Sequence, residues 1–196
     1  MINSIHNYIY TRQLNLDLNK IKTSTGEVRK IVETEFDNGS NEYGSVSGYG
    51  AQLYTKYNLL LYPFDGFYDL YTEIQTMFHE ICKEENQYYI QCWFNYYNKG
   101  EFIDWHDHWR TATVGWHGFY CVDVEPSKTS YVIPVARDQI DVESKDNLLV
   151  IGKSSGDKHR TWPWTEDDRP RITIAFDIIP RQCIQPGRWL NHWMPV

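Results

Sequence analysis

The sequence predicts a mainly β protein in which an antiparallel jelly roll is supported by N-terminal helices. Six short runs of β-branched and aromatic residues follow residue 84, separated by Gly, Pro, Asp and Asn. One amphipathic helix precedes these runs and no helical pattern interrupts them, which argues against alternating βαβ units. The chain also carries 8 Trp, 15 Tyr and 8 Phe against only 3 Met, a composition typical of β-rich packing.

The N-terminal part carries fewer signals than the rest of the chain. Residues 5–14 have the composition of a strand, and residues 26–36 that of a short helix. Apolar residues recur at spacings of three and four over residues 65–84 and predict a helix that buries one face. Residues 37–50 are rich in Gly, Ser and Asn and predict a loop, either a connector or a lid.

The β-rich part is expected to form the core. With 196 residues the chain has the length of a single domain. We expect supporting structure over residues 1–86, the jelly roll over residues 87–180 and a C-terminal tail over residues 181–196. The predicted strands span residues 88–97, 103–109, 118–124, 129–135, 148–151 and 172–179.

The charge, the cysteines and the N-terminal sequence indicate which partners and which cellular location to expect. The 19 basic and 26 acidic residues give a net charge of -7, which disfavours nucleic acid held through phosphate contacts. The four cysteines form no CxxC pair and are expected to be reduced thiols. No basic, apolar leader and no long apolar window occur, so we expect a cytoplasmic protein without membrane contact. The tryptophan-rich tail is expected to pack on the body or on the partner subunit of a homodimer.

The sharpest local pattern is Asp104-Trp105-His106-Asp107-His108-Trp109. In a strand, alternate side chains share a face, so Asp104, His106 and His108 are predicted on one side and Asp107 on the other. Two histidines beside a carboxylate form a chelating pair for a transition metal. A third ligand from a distant strand would complete a facial set of ligands with open positions.

Two downstream residues fit such a site. His159 follows the predicted strand over residues 148–151 and is the candidate third ligand. On the last predicted strand, Arg171, Thr173 and Asp177 share one face. A planar guanidinium on an inward face suits bidentate capture of a carboxylate. The structural alternative is an ion pair of Arg171 with Asp177 or another acidic residue.

The order of His106, His159 and Arg171 resembles the 2-oxoglutarate- and Fe(II)-dependent oxygenase superfamily. Tyr97-Asn98-Lys99-Gly100 followed by His106 is similar to the prolyl-4-hydroxylase branch. The stretch from Cys92-Trp93-Phe94-Asn95 to His106-Asp107-His108 also resembles a bacterial and phage branch that carries H-x-H. The resemblance covers roughly residues 45–180.

The resemblance implies a double-stranded β-helix of cupin-like architecture and a specific chemistry. It implies Fe(II) as cofactor, with 2-oxoglutarate and O2 as co-substrates. It also implies hydroxylation of a C–H bond, with decarboxylation of 2-oxoglutarate to succinate. Tyr97 inherits the tyrosine role at the far carboxylate of 2-oxoglutarate, beside Arg171 and Thr173. The prime substrate is expected to be a peptidyl or amino-acid side chain.

One position departs from the superfamily pattern, because His108 stands where a carboxylate ligand is expected. Three interpretations stay open at this point. The first is a three-histidine site of His106, His108 and His159, which strand parity favours. The second takes the carboxylate from Asp107 or Asp104. The third is an inactive relative.

Two other classes of function also remain open. A cupin-like metalloenzyme that does not use 2-oxoglutarate would keep the histidines but have no free arginine facing the metal. A non-catalytic jelly-roll binding module would have the histidines apart in space. His117, set between glycines, is expected to be structural or on the surface, and most tryptophans near the site are expected to pack in the core.

Overall fold

A computed structural model describes residues 1–36, 53–108, 115–184 and 192–196. These residues contain two α-helices and ten strands, and the strands form two antiparallel sheets. The helices are α1 (Leu18–Phe36) and α2 (Phe67–Ile81), with short 3-10 turns at Leu59–Leu61 and Arg181–Cys183. The strands are β1 (Asn3–Ile5), β2 (Ile9–Gln13), β3 (Tyr88–Tyr97), β4 (Trp116–Asp123), β5 (Ser127–Val132), β6 (Ile140–Ser144), β7 (Leu148–Lys153), β8 (Lys158–Thr161), β9 (Arg171–Pro180) and β10 (Met194–Pro195).

The larger sheet, called the major sheet, has the order β1-β2-β7-β4-β9-β3-β10. The minor sheet has the order β6-β5-β8. An isolated antiparallel bridge between His106 and His159 attaches the segment before β4 to the free side of β8. The chain crosses between the two sheets, as expected of a jelly roll.

Strands β3 and β9 position one wall of the interior. They pair over their full length, from Tyr88 opposite Pro180 to Tyr97 opposite Arg171. Alternate residues of β9 point into the main core, including Ile174 and Phe176. The intervening residues, from Arg171 to Asp177, face the space between the sheets. The polar and apolar alternation of the sequence therefore separates the site from the core.

The two helices cover the outer face of the major sheet. Helix α2 buries Leu70, Ile74 and Met77, as its periodicity predicts. Helix α1 begins eight residues before the predicted Gly26, where Asp17 accepts a hydrogen bond from the backbone N–H of Lys20. The first half of α1 is mostly polar and shows no clear apolar periodicity, so the sequence did not predict where the helix begins.

Some of the observed strands differ from the predicted ones, for physical reasons. The predicted strand over residues 103–109 is wrong for its described part, because only His106 makes a ladder contact there. Strands β6 and β8 were not predicted, since they are short and mostly polar. Strand β5 begins at Ser127 and ends at Val132, before Pro134. The predicted loop over residues 37–50 lies outside the described residues.

Gly118 allows β4 to fit between its neighbours. A Cβ added there would lie 2.3 Å from the carbonyl oxygen of Val150 and 2.4 Å from the ring of Phe176. Only glycine permits this approach, which brings the residues on either side of Gly118 against β9.

The sequence also led to predictions about membrane contact, the state of the cysteines, the cellular location and the assembly of the protein. In the described parts of the chain, neither helix combines the length and apolarity needed to cross a membrane. All four cysteines are free, as expected. The cytoplasmic location, the domain bounds and the homodimer stay predictions.

Candidate functional site

A cavity of about 620 Å3 lies between the two sheets. Strands β3, β4 and β9 form one wall, and β5, β8 and residues 103–108 form the other. Arg171 and Tyr97 line one end of the β9 wall, and Asp177 and His117 pair across β4 and β9 at the other. The cavity is therefore lined by all the residues that the sequence predicted to bind a metal or 2-oxoglutarate.

The structure brings His106, His108 and His159 together. Each offers a ring nitrogen, and the three nitrogens lie within 4.8 Å of one another. The backbone fixes two of the residues, because His106 and His159 exchange N–H to carbonyl hydrogen bonds of 3.1 and 3.0 Å. Their rings lie 4.2 Å apart between centroids, and His108 lies 5.2 and 5.1 Å from the rings of His106 and His159.

Hydrogen bonds fix the tautomer of two of these rings. Nδ1 of His106 lies 2.8 Å from the backbone carbonyl of Asp104, which only accepts, so Nδ1 carries the proton. Nδ1 of His108 lies 2.7 Å from Oδ1 of Asp177. In each neutral ring the lone pair is then on Nε2. Such outer partners orient ligating histidines and raise their basicity.

The pKa values of the rings differ because their surroundings differ. Burial, with repulsion from His108, lowers the pKa of His106 to about 4. Burial and the neighbouring His117 and His106 lower the pKa of His159 well below its usual value. Burial opposes the charged form of His108 too, but the carboxylate of Asp177 outweighs it and the pKa is raised. His106 and His159 are thus neutral at neutral pH.

Arg171 is a buried cation at the other end of the wall, only 2% exposed. Its Nε donates a 3.0 Å hydrogen bond to Oγ of Ser127, and its guanidinium lies 5.5 Å from the ring centroid of Tyr97. No carboxylate of the described residues lies within ion-pair distance of it. The alternative interpretation, an Arg171–Asp177 ion pair, is therefore wrong, because Asp177 pairs with His108 instead.

Unsatisfied polar groups occupy the wall near Arg171. Thr173 lies on the same face of β9 and accepts a long hydrogen bond of 3.4 Å from Nδ2 of Asn95. Oδ1 of Asn95 and Oγ1 of Thr129 are buried without a hydrogen-bond partner. Buried polar atoms of this kind are normally paired, so this end of the cavity has capacity for a polar ligand.

Sequence reasoning missed several of these residues. Ser127 carries no motif, and its contact with Arg171 is visible only in the structure. Asn95 belongs to the Cys92–Asn95 stretch that carries the resemblance, but the sequence assigned it no place in the site. Asp157 had a signal, since the Asp-x-His pattern before His159 places both side chains on one face of an extended segment.

His117 differs from its expected place. It is 3% exposed and its ring lies 4.4 Å from the ring of His159 and 5.1 Å from that of His108. Of the two expected places, structural or on the surface, the surface is wrong, because His117 on β4 is buried and lines the cavity beside the other histidines.

The two alternative carboxylate ligands line the same cavity as the histidines. Oδ1 of Asp104 accepts a 2.8 Å hydrogen bond from the N–H of Trp105, and this residue is exposed. Asp107 lines the cavity and is half-buried. Among the described residues, neither joins a group of donor atoms close enough to share an ion with His106.

Solved structures share this arrangement of strands. The 2-oxoglutarate (alpha-ketoglutarate)-dependent non-heme carbocyclase SnoK of nogalamycin biosynthesis aligns with a TM-score of 0.64, covering 97% of this chain and 93% of that one at 10% identity. This chain has the fold of the 2-oxoglutarate/Fe(II) oxygenases. The predicted double-stranded β-helix is thereby confirmed.

Two further structures with this fold come from enzymes with different reactions. The alpha-ketoglutarate-dependent epimerase SnoN aligns at a TM-score of 0.59 and 11% identity, over 88% of this chain and 77% of that one. A prolyl-4-hydroxylase of Pseudomonas putida aligns at 0.54 and 14% identity, over 91% and 87%. No family model and no curated protein matches the sequence. One fold thus supports several reactions, and the function depends on the site.

Proposed function

We propose that the protein is an Fe(II)- and 2-oxoglutarate-dependent oxygenase. In this proposal His106, His108 and His159 hold the iron, and Arg171, Tyr97 and Thr173 hold the far carboxylate of 2-oxoglutarate. The supporting observation is one cavity that is lined by three clustered histidines and by a buried arginine. In the described part of the chain this arginine has no carboxylate partner.

The donor set fits an iron ion. Two rings have Nδ1 engaged by fixed acceptors, so their Nε2 lone pairs are available without rearrangement. Imidazole is a suitable ligand for Fe(II), and three protein ligands leave positions for small molecules. Asp177 supplies a negative charge through His108, which offsets part of the charge that a carboxylate ligand would have contributed.

The other end of the cavity fits the co-substrate. A carboxylate there would receive guanidinium hydrogen bonds from Arg171, and the hydroxyl of Thr173 lies on the same face of β9. Burial removes competing water, which strengthens this charge pairing. Tyr97 packs against the guanidinium and holds it in place.

Fe(II) with 2-oxoglutarate and O2 supplies the oxidising power for attack on a C–H bond, with succinate and CO2 as co-products. The chain contributes orientation and exclusion of water. Trp93, Trp105 and Tyr54 line the cavity and offer apolar, aromatic surface to the prime substrate. A peptidyl or amino-acid side chain remains the proposed substrate, and hydroxylation the proposed reaction.

The alternatives fit the site less well. A binding module predicts histidines apart in space, whereas these rings lie within 5.2 Å of their neighbours. A cupin-like enzyme that does not use 2-oxoglutarate predicts no free arginine in the cavity, whereas Arg171 lines it without a carboxylate partner among the described residues.

The test is anaerobic titration of the metal-free protein with Fe(II) and then 2-oxoglutarate, followed by the weak metal-to-ligand charge-transfer absorption. Wild type should develop the band, His108→Ala should lose it, and Arg171→Ala should require far more 2-oxoglutarate. Arg169→Ala removes a neighbouring, partly exposed arginine that pairs with Asp123, and should behave as wild type. Tight iron binding without any band would overturn the proposal in favour of the cupin-like enzyme.

A further inference from the structure

A second group of donor atoms shares the His159 ring with the first group. It consists of His117 on β4, Asp157 just before β8, and His159 itself. Nε2 of His117 lies 2.9 Å from Oδ2 of Asp157, and Nδ1 of His159 lies 3.4 Å from the same oxygen. All three side chains are buried, with Asp157 only 1% exposed.

These atoms are poorly satisfied by the protein itself. Nε2 of His117 is within ion-pair distance of Asp157 but is not aligned for a hydrogen bond, and Oδ1 of Asp157 has no hydrogen-bond partner. Among the described residues, Asp157 has no lysine or arginine within 4.0 Å, so only imidazoles face its charge. A buried carboxylate without a strong counter-charge is costly unless a cation joins it.

The spacing of the donors suits a small divalent ion. Zinc binds nitrogen and oxygen at about 2.0–2.2 Å, so the donors around a tetrahedral zinc lie about 3.3 Å apart. The two measured separations, 2.9 and 3.4 Å, bracket that value. Two imidazoles and one carboxylate form the ligand set of many zinc sites, with the fourth position left to water.

We propose that His117, Asp157 and His159 form a second divalent-metal site that shares the His159 ring with the first. Nδ1 of His159 binds the second ion, and Nε2 remains for the ion held with His106 and His108. When both nitrogens are bound, the remaining ring proton of His159 passes to solvent. The resulting negative ring and the Asp157 carboxylate offset part of the added charge.

The geometry also sets the order of binding. The rings of His117 and His159 are stacked within 8° of parallel, so a shared ion requires the His117 ring to rotate toward it. At the first site His108 and His159 are also stacked, within 15°, but the Nδ1 atoms of His106 and His108 already have acceptors, which leaves their Nε2 atoms for an ion without loss of a ring proton. The second ion therefore binds more weakly than the first.

The test counts zinc bound per chain by equilibrium dialysis at buffered free Zn(II), without 2-oxoglutarate. Wild type should bind two equivalents in two steps. Asp157→Asn and His117→Gln should bind only the tighter one. His106→Gln disrupts the first site alone and should keep the Asp157-dependent equivalent. The His106→Gln result tests the second site independently of the proposed function, because the zinc count does not depend on whether 2-oxoglutarate binds.

Two outcomes would overturn the proposal. One is saturation of wild type at a single equivalent. The other is two equivalents in wild type that persist in both Asp157→Asn and His117→Gln, which would show binding to surface histidines. Because a buried variant can misfold, zinc anomalous diffraction from wild-type crystals provides an independent measurement. It should show a peak on each side of the His159 ring, and a single peak on the His106 side would contradict the second site.

Discussion

The two ends of one face of β9 differ in charge and in partners. At Arg171 the wall carries a buried cation whose neighbours are a hydroxyl and an aromatic ring. At Asp177 it carries a buried carboxylate bonded to His108 in a cluster of imidazoles. Six residues separate the two ends, which is about 20 Å of extended chain. A single strand thus presents one region that attracts an anion and one that attracts a cation.

This difference shows how position along a strand can assign roles. The alternation of side chains places Arg171, Thr173 and Asp177 on the same face, but only the partners from other strands decide what each one does. Among the described residues, Arg171 contacts a hydroxyl and an aromatic ring and has no carboxylate partner, whereas Asp177 is paired with His108. A substitution at one end of β9 can therefore be made while ligand binding at the other end is measured.

The largest effect is expected at the histidine end. His159→Ala removes the one residue that both donor groups share, so Fe(II) affinity should fall by at least ~100-fold and activity should be lost. Anaerobic Fe(II) titration measures the affinity. His79→Ala on the exposed face of α2 is the matched control and should bind as wild type. Unchanged iron affinity in His159→Ala would remove this residue from the site.

The next effect is expected at the arginine end. Arg171→Ala removes charge-assisted hydrogen bonds worth about 1.5–3 kcal/mol, so 2-oxoglutarate should bind about 10–100-fold more weakly. Iron affinity should not change, because the guanidinium is not a metal ligand. Arg171→Lys should restore part of the affinity but not the bidentate geometry. Equal losses of iron and 2-oxoglutarate affinity would mean that the two ends are not independent.

A smaller effect is expected from the outer partner of His108. Asp177→Asn keeps an acceptor for Nδ1 of His108 but removes the negative charge, so iron affinity should fall by about tenfold. Competition between Fe(II) and a coloured chelator measures this change. Asp167→Asn removes an exposed carboxylate paired with Lys99 and is the matched control. A loss as large as that of His159→Ala would indicate that Asp177 itself binds the ion.

The smallest effect is expected in the pH dependence of the metal-free protein. The folded pKa of His106 is about 4, below its unfolded value, so the unfolded chain takes up the proton first as the pH falls. Stability is therefore lost between pH 6.5 and 4, by about 1–2 kcal/mol at pH 5 from this residue.

Thermal unfolding in the presence of a chelator tests the sign. The Tm of wild type should fall between pH 7 and 5, and that of His106→Gln should fall less. The raised pKa of His108 works in the opposite direction, but removing His108 would also remove its repulsion on His106, so only His106→Gln is compared with wild type. Parallel curves for the two proteins would contradict the lowered pKa of His106.

Strong local patterns predicted most of the fold. The periodicity of α2 and the long β-branched runs of β3 and β9 are encoded within each segment, and their bounds differ by no more than three residues. The short strands β6 and β8 depend on pairing with β5, which a local pattern does not contain. The segment over residues 103–108 shows the opposite error, since its strand-like pattern lacks a partner beyond the single bridge at His106.

The site divides in the same way. The spacing of His106 and His108 and the order of His159 and Arg171 predicted residues that meet in one cavity. His117 and Asp157 were not predicted as members of the cluster because their proximity depends on how β4 faces β8. The residue types of His117 and Asp157 are visible in the sequence, but the distance between their side chains is visible only in the structure.

The link between His108 and Asp177 also has a mechanical consequence. His159 belongs to the minor sheet and Asp177 to the major sheet, so an ion bound by His108 and His159 joins the two sheets through a continuous series of bonds. In the proposed site, iron would therefore link the two sheets. At a free iron concentration 100 times Kd, such a link would add about 2.7 kcal/mol to the free energy of unfolding.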